Sequence, residues 1–161
     1  MHKILDRETL KNKLEALRKE GKKIALTNGC FDILHVGHVR YLIEAKKTAD
    51  ILVLALNSND SVRAIKGDKR PLVDQEERAE VLSALECIDF VTIFSEHTPL
   101  KLICFLKPDV LVKGGDWPED KVVGRHEIKQ WGGHVTIIPE VAGKSTTSIV
   151  DKIISVYGSE R

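Results

Sequence analysis

The chain predicts an α/β fold built on a doubly wound, five-stranded parallel sheet, and three observations carry that expectation. Short apolar runs recur at 24–27, 51–56, 90–94, 110–112 and 135–138. Stretches with helical spacing separate them, at about 37–48, 74–86, 98–106 and 121–131, and a last one lies near 146–157. The runs are continuous and rich in β-branched residues, as strands buried on both faces require. In such sheets ligands bind beyond the carboxyl ends of the strands, where strand order reverses. The residues just after each run are therefore the ones to read for chemistry.

A helix over 8–20 precedes the first run, with Leu10, Leu14 and Leu17 on one face and Gly21 as its stop. Asp74 followed by Glu77 has the spacing of a capping box for the helix at 74–86. No repeat, low-complexity tract or linker interrupts the 161 residues, so one domain over 1–161 is expected, with the α/β core at about 24–157. The 25 basic and 24 acidic residues nearly cancel, which argues against a nucleic-acid or polybasic membrane surface. Cys30, Cys87 and Cys104 are odd in number and far apart, so they suggest free thiols in a reducing cytoplasm. No apolar run is long enough for a signal peptide or a membrane span, and a cytoplasmic location is expected.

The first run leads into Asn28-Gly29-Cys30-Phe31-Asp32-Ile33-Leu34-His35-Val36-Gly37-His38. Here a glycine turn meets a helix start whose first turn carries two histidines three apart, on one side. Free backbone N–H groups and the helix dipole favour an anion there, and Gly37 would let a phosphate approach the backbone. The bare H-x-x-H spacing also fits two surface histidines, or two ligands of a zinc site. No third ligand stands at a recognisable spacing, and the longer string is far more specific than its histidines.

That string, together with Lys66-Gly67-Asp68-Lys69-Arg70-Pro71, EERAEVLSALE, LVKGGDW and Gly143-Lys144-Ser145-Thr146-Thr147, resembles the HxGH nucleotidyltransferases over about 24–155. The likeness is closest to the adenylyltransferases of bacterial ADP-heptose synthesis. The resemblance implies a Rossmann-like fold, a homodimer, and ATP used with Mg²⁺ held mainly by the nucleotide phosphates. It implies AMP transfer to D-glycero-β-D-manno-heptose 1-phosphate for the lipopolysaccharide inner core. It makes His35, His38 and Lys66 the catalytic residues. Gly29, Cys30, Phe31, Gly37, Asn57, Lys113, Gly115, Asp116, Ser145, Thr146 and Thr147 would contact the nucleotide, and Asp32, Arg70 and Arg78 the other substrate.

The remaining strand ends fit this picture in different degrees. After Asn57 a loop carries Arg63, Lys66, Lys69 and Arg70. Such a loop is ordinarily just solvated, but two phosphorylated reactants that repel one another need cations of this kind. Arg78 would lie behind the loop, holding phosphates or pairing with Glu77 or Glu80. Lys113-Gly114-Gly115-Asp116-Trp117 ends the fourth run, and its glycines suggest close backbone approach. If strand order reverses between the first and fourth strands, it faces the HxGH turn. The last turn contains Gly-Lys-Ser-Thr, but Ile138 stands where a P-loop needs glycine, so that motif is rejected. Its hydroxyls can cap a helix or meet a phosphate at the helix N-terminus.

Two rivals follow from the same residues. A CTP-dependent cytidylyltransferase acting on glycerol 3-phosphate would resemble this chain, but such enzymes carry RTEGISTT where Val141-Ala142-Gly143-Lys144-Ser145 stands here. A nucleotide-binding module without catalysis is the other, and the intact His35, His38, Lys66 and Lys113 weigh against it.

Overall fold

The computed structural model describes residues 2–115, 118–139, 143 and 145–158. Five strands form one parallel sheet: β1 (Ile24–Gly29), β2 (Ile51–Asn57), β3 (Phe90–Phe94), β4 (Val110–Gly114) and β5 (His134–Ile138). Their order across the sheet is β3-β2-β1-β4-β5. The chain thus winds one way from β1 to β3 and then returns past β1 to β4, so the switch point lies between β1 and β4. The doubly wound, five-stranded parallel sheet is the one the sequence predicts, and the reversal between β1 and β4 meets the condition set there for the end of β4 to face the HxGH turn.

Among the described residues seven α-helices flank and connect the strands: α1 (Arg7–Lys19), α2 (Val36–Lys46), α3 (Asn59–Lys66), α4 (Gln75–Ser83), α5 (Leu100–Leu106), α6 (Arg125–Gln130) and α7 (Thr146–Tyr157). A short 3-10 turn, Glu119–Lys121, precedes α6 and occupies part of the stretch expected to be helical from 121. Asp6 starts α1 by accepting the N–H groups of Glu8 and Thr9, and Leu10 and Leu14 then turn into the core. One core layer joins them to Leu26, Val53, Phe94, Ile103 and Leu111. The opposite layer packs Leu42, Ala45, Ala79 and Leu82 of α2 and α4 on Ala25, Leu52 and Leu54. Both sheet faces are covered, so the central strands can be apolar without alternation. Each fully buried leucine contributes about 1.5–3 kcal/mol, and truncating one such as Leu54 to alanine should cost about 2–5 kcal/mol.

Two local expectations need correction. The segment after Asn57 is not all loop, because α3 occupies Asn59–Lys66. Ser58 caps it by accepting the Ser61 N–H, and Gly67, at φ +90°, ends it. Lys66 is therefore the last residue of a helix. Asp74 does cap α4, through the Glu76 N–H, but the reciprocal Glu77 contact of a capping box is absent; the other Asp74 oxygen accepts from Asn59 Nδ2. Among the described residues no helix is long and apolar enough to cross a membrane.

Candidate active site

A cavity of about 680 Å³ opens over the carboxyl ends of the strands, at the switch point. Its floor is the turn after β1. Val39 N–H closes the first turn of α2 on His35 O, so the amides at 36–38 have no helical carbonyl behind them. The Gly37 N–H turns to His35 Nδ1 at 3.1 Å, which makes His35 the N-cap and places only His38 inside the helix. An accepting Nδ1 puts the proton of neutral His35 on Nε2.

The two imidazoles stack at 3.8 Å between centroids with planes 22° apart. Phe31 packs on His38 from another side, its ring centroid 5.0 Å away. Phe31 holds a left-handed φ of +44° in the turn. Gly29 makes room for it: a Cβ there would stand 2.6 Å from Phe31 Cε2. His38 Nδ1 is buried without a hydrogen-bond partner. Burial first, and then the neighbouring His35, lower the His38 pKa from 6.5 to about 4. His38 is therefore a neutral imidazole at physiological pH, since an imidazolium would need an acceptor at Nδ1 as well.

Cations ring the opening. Lys66 lines the cavity from the end of α3. Lys113, at the end of β4, donates from Nζ to Asn28 Oδ1 at 2.6 Å, and burial lowers its pKa. Arg70 also lines the cavity and pairs with Asp32 at 2.5 Å. On the far wall Ser145, Thr146 and Thr147 open α7. Ser145 and Ser148 form a capping box, and Thr146 Oγ1 donates to Ile33 O at 3.3 Å, which ties this wall to the HxGH turn. Cys30 and Asn57 line the cavity too; burial raises the Cys30 thiol pKa.

Three residues stand differently from the sequence expectation. Arg78 is 2% exposed and is not among the residues lining the cavity. Its guanidinium donates to Val73 O (2.9 Å), Cys30 O (2.6 Å), Asn57 O (2.9 Å) and Asn59 Oδ1 (3.0 Å). It is neither a phosphate grip nor a surface ion pair, because backbone carbonyls use its donors. Gly115 also stands back from the cavity, its N–H bonded to Ile138 O at 3.0 Å. Gly114 lines the wall in its place, and a Cβ there would meet the Tyr41 ring at 3.1 Å. Asp32 is buried and its oxygens are engaged by the chain. Asp116, like Trp117, Val141, Ala142 and Lys144, lies outside the described residues.

Sequence reasoning missed Asn28, Tyr41, Val62, Ile65, His97, Pro99 and Pro139, which also line the cavity. Tyr41 had a signal, since it follows His38 by three residues on the same helix. Its hydroxyl bonds Thr27 Oγ1 at 2.6 Å and donates to Val112 O at 3.2 Å, bridging the switch-point strands. His97 and Pro99 follow β3 and needed only the rule that every strand end be read.

A helix N-terminus, the neutral His38 imidazole and three cations around a switch-point cavity make a site suited to a phosphorylated ligand, in a protein of the doubly wound α/β class. Residues 26–154 match the cytidylyltransferase-like family, and the chain belongs to it. It is 56% identical over 158 residues to Bifunctional protein HldE of Geobacter metallireducens, covering 98% of this chain and 32% of the relative. Identity to the protein of the same name from Geobacter sulfurreducens is 52%, again over 158 residues and the same two shares. This chain thus spans 32% of the length of those relatives. Among solved structures it is similar to the lipopolysaccharide core biosynthesis protein from Thermoplasma volcanium GSS1. The TM-score is 0.62 at 31% identity, over 75% of this chain and 98% of that one.

Proposed function

We propose that this chain transfers AMP from ATP to D-glycero-β-D-manno-heptose 1-phosphate, giving ADP-heptose and pyrophosphate for lipopolysaccharide inner-core synthesis. One observation carries the reaction type: a His38 imidazole kept neutral at an anion-binding helix start, in a cavity ringed by Lys66, Arg70 and Lys113. The heptose reading rests on the KGDKRP and LVKGGDW stretches, on the HldE relatives, and on a structural relative described as a lipopolysaccharide core biosynthesis protein.

The sugar phosphate oxygen attacks the α-phosphorus in line as pyrophosphate leaves. This nucleophile is already an anion near neutral pH, so no general base is needed. The chain's part is to position and to offset charge. The α2 amides and His38 would donate to the α-phosphate oxygens, His35 Nε2–H would extend that array, and Lys66 would close from the end of α3. Thr146 and Thr147 face the same phosphates from the start of α7.

Magnesium accompanies ATP in this reading and supplies charge neutralisation on the phosphates. Among the described residues no group of three His, Cys, Asp or Glu side chains could hold a metal. Asp32 is the one carboxylate among the described residues that line the cavity, and it is engaged by Arg70 and two backbone N–H groups. In this reading the cation would ride on the nucleotide phosphates. A homodimer in the cytoplasm completes the reading. Its support is the apolar surface left on α7, where Ile153, Ile154, Val156 and Tyr157 are all at least half exposed.

The test is pyrophosphate release by the purified chain from ATP or CTP, against a panel of sugar and polyol phosphates. Pyrophosphate with ATP and heptose 1-phosphate supports the proposal. No release with any pair would leave the chain a nucleotide-binding module.

A further inference from the structure

The sequence alone puts Asp32, Arg70 and Arg78 in one class, as substrate contacts; their geometry divides them. The Asp32 side chain is 6% exposed. Oδ2 accepts from Arg70 Nη1 at 2.5 Å, while Oδ1 accepts the N–H groups of Leu72 at 2.7 Å and Val73 at 2.9 Å. Val73 is also gripped from its other side, because its carbonyl accepts Arg78 Nε at 2.9 Å. The same guanidinium donates to Cys30 O at 2.6 Å, in the turn that carries Asp32. One carboxylate and one guanidinium thus fasten segment 70–73 to the glycine turn, at both polar groups of Val73. Of the three side chains, Arg70 is the cation left at the cavity, with a fifth of its side chain exposed.

A buried carboxylate holding three donors repels a phosphate and has little to offer a sugar hydroxyl. Asp32 does have a use for the guanidinium beside it: an arginine fixed by a buried partner keeps its remaining donors in one direction. We infer that Asp32 is a positioning residue that aims the Arg70 guanidinium into the cavity as the grip on a reactant phosphate. This rests on the reading that the cavity takes phosphorylated reactants. Asp32→Asn is the discriminating change, because the amide oxygen can still accept from Leu72 and Val73 while the charge facing Arg70 is gone.

The experiment is a double-mutant cycle read by calorimetry with inorganic pyrophosphate on wild type, Asp32→Asn, Arg70→Ala and the double variant. Each single change should weaken pyrophosphate by about tenfold, the scale of one lost charge-assisted hydrogen bond. The double variant should bind no more weakly than Arg70→Ala alone, since Asp32 then has nothing left to aim. Multiplying effects would overturn the inference, and so would an Asp32→Asn protein that melts earlier yet binds like wild type. If Asp32→Asn does not fold, Asp32→Ser, which also removes the charge facing Arg70, takes its place in the same cycle, with the same two outcomes deciding. A wild type that fails to bind pyrophosphate also overturns it. A wild type that binds pyrophosphate but turns over no sugar phosphate would sink the substrate reading and leave this one standing.

Discussion

The imidazoles of His35 and His38 stack at 3.8 Å, yet the two rings have different tasks. His35 caps α2 through Nδ1, while His38 has a buried Nδ1 without a partner and a pKa near 4. The stack is tenable because His38 carries no charge at neutral pH.

His38→Ala should lower turnover by about 10²–10³-fold, the usual cost of losing a transition-state donor. Pyrophosphate release under saturating substrates reads this. Nucleotide affinity should change much less, and near-normal turnover would remove His38 from the chemistry.

The His38 protonation itself can be followed by imidazole NMR against the His38→Ala spectrum. The folded pKa is lowered from 6.5 to about 4, so the ring should stay neutral from pH 8 down to about 5. The sign for stability follows. Above pH 6.5 both folded and unfolded chains hold the ring neutral; between 6.5 and 4 only the unfolded chain gains the proton, so stability falls as pH drops through that window. A ring titrating near 6.5 in the folded protein contradicts this.

Gly29→Ala should destabilise the chain by about 1–3 kcal/mol, because overpacking must displace the Phe31 ring. Phe31 also packs on His38, so turnover should fall with stability. Thermal melting and turnover of the variant decide it; unchanged values in both would mean the turn relaxes freely.

Much of this arrangement was legible in the residues, for identifiable reasons. Runs such as 51–56 are apolar throughout because the sheet is covered on both faces, and the GCFDxxHxGH string marks its own turn. α3 was missed because it is short and polar, although Ser58 is a good N-cap in front of it. The role of Arg78 was hidden for a physical reason: arginine is rarely buried, and nothing in its neighbours reveals four acceptors contributed from positions 30, 57, 59 and 73. Gly114 and Gly115 could not be told apart by spacing. Only the packing of Tyr41 shows which one approaches the cavity.

Lys66 should act chiefly once both substrates are bound, since it is the last residue of α3, ahead of Gly67 at φ +90°. Lys66→Ala should slow single-turnover chemistry while ATP affinity by calorimetry stays within about threefold, the pattern of a group felt mainly in the transition state. Collapse of affinity with an unchanged single-turnover rate would make it a binding anchor.

The most direct measurement is a one-pot competition on the wild-type chain, with ATP and CTP, and with heptose 1-phosphate and glycerol 3-phosphate, scored by product mass. A preference of about tenfold in kcat/KM needs only 1.4 kcal/mol of differential transition-state binding, within reach of a few hydrogen bonds to the base or sugar. ADP-heptose should dominate by at least that margin, with pyrophosphate released in equal amount. A dominant CDP-linked product would contradict the adenylyl reading and establish a cytidylyltransferase in its place.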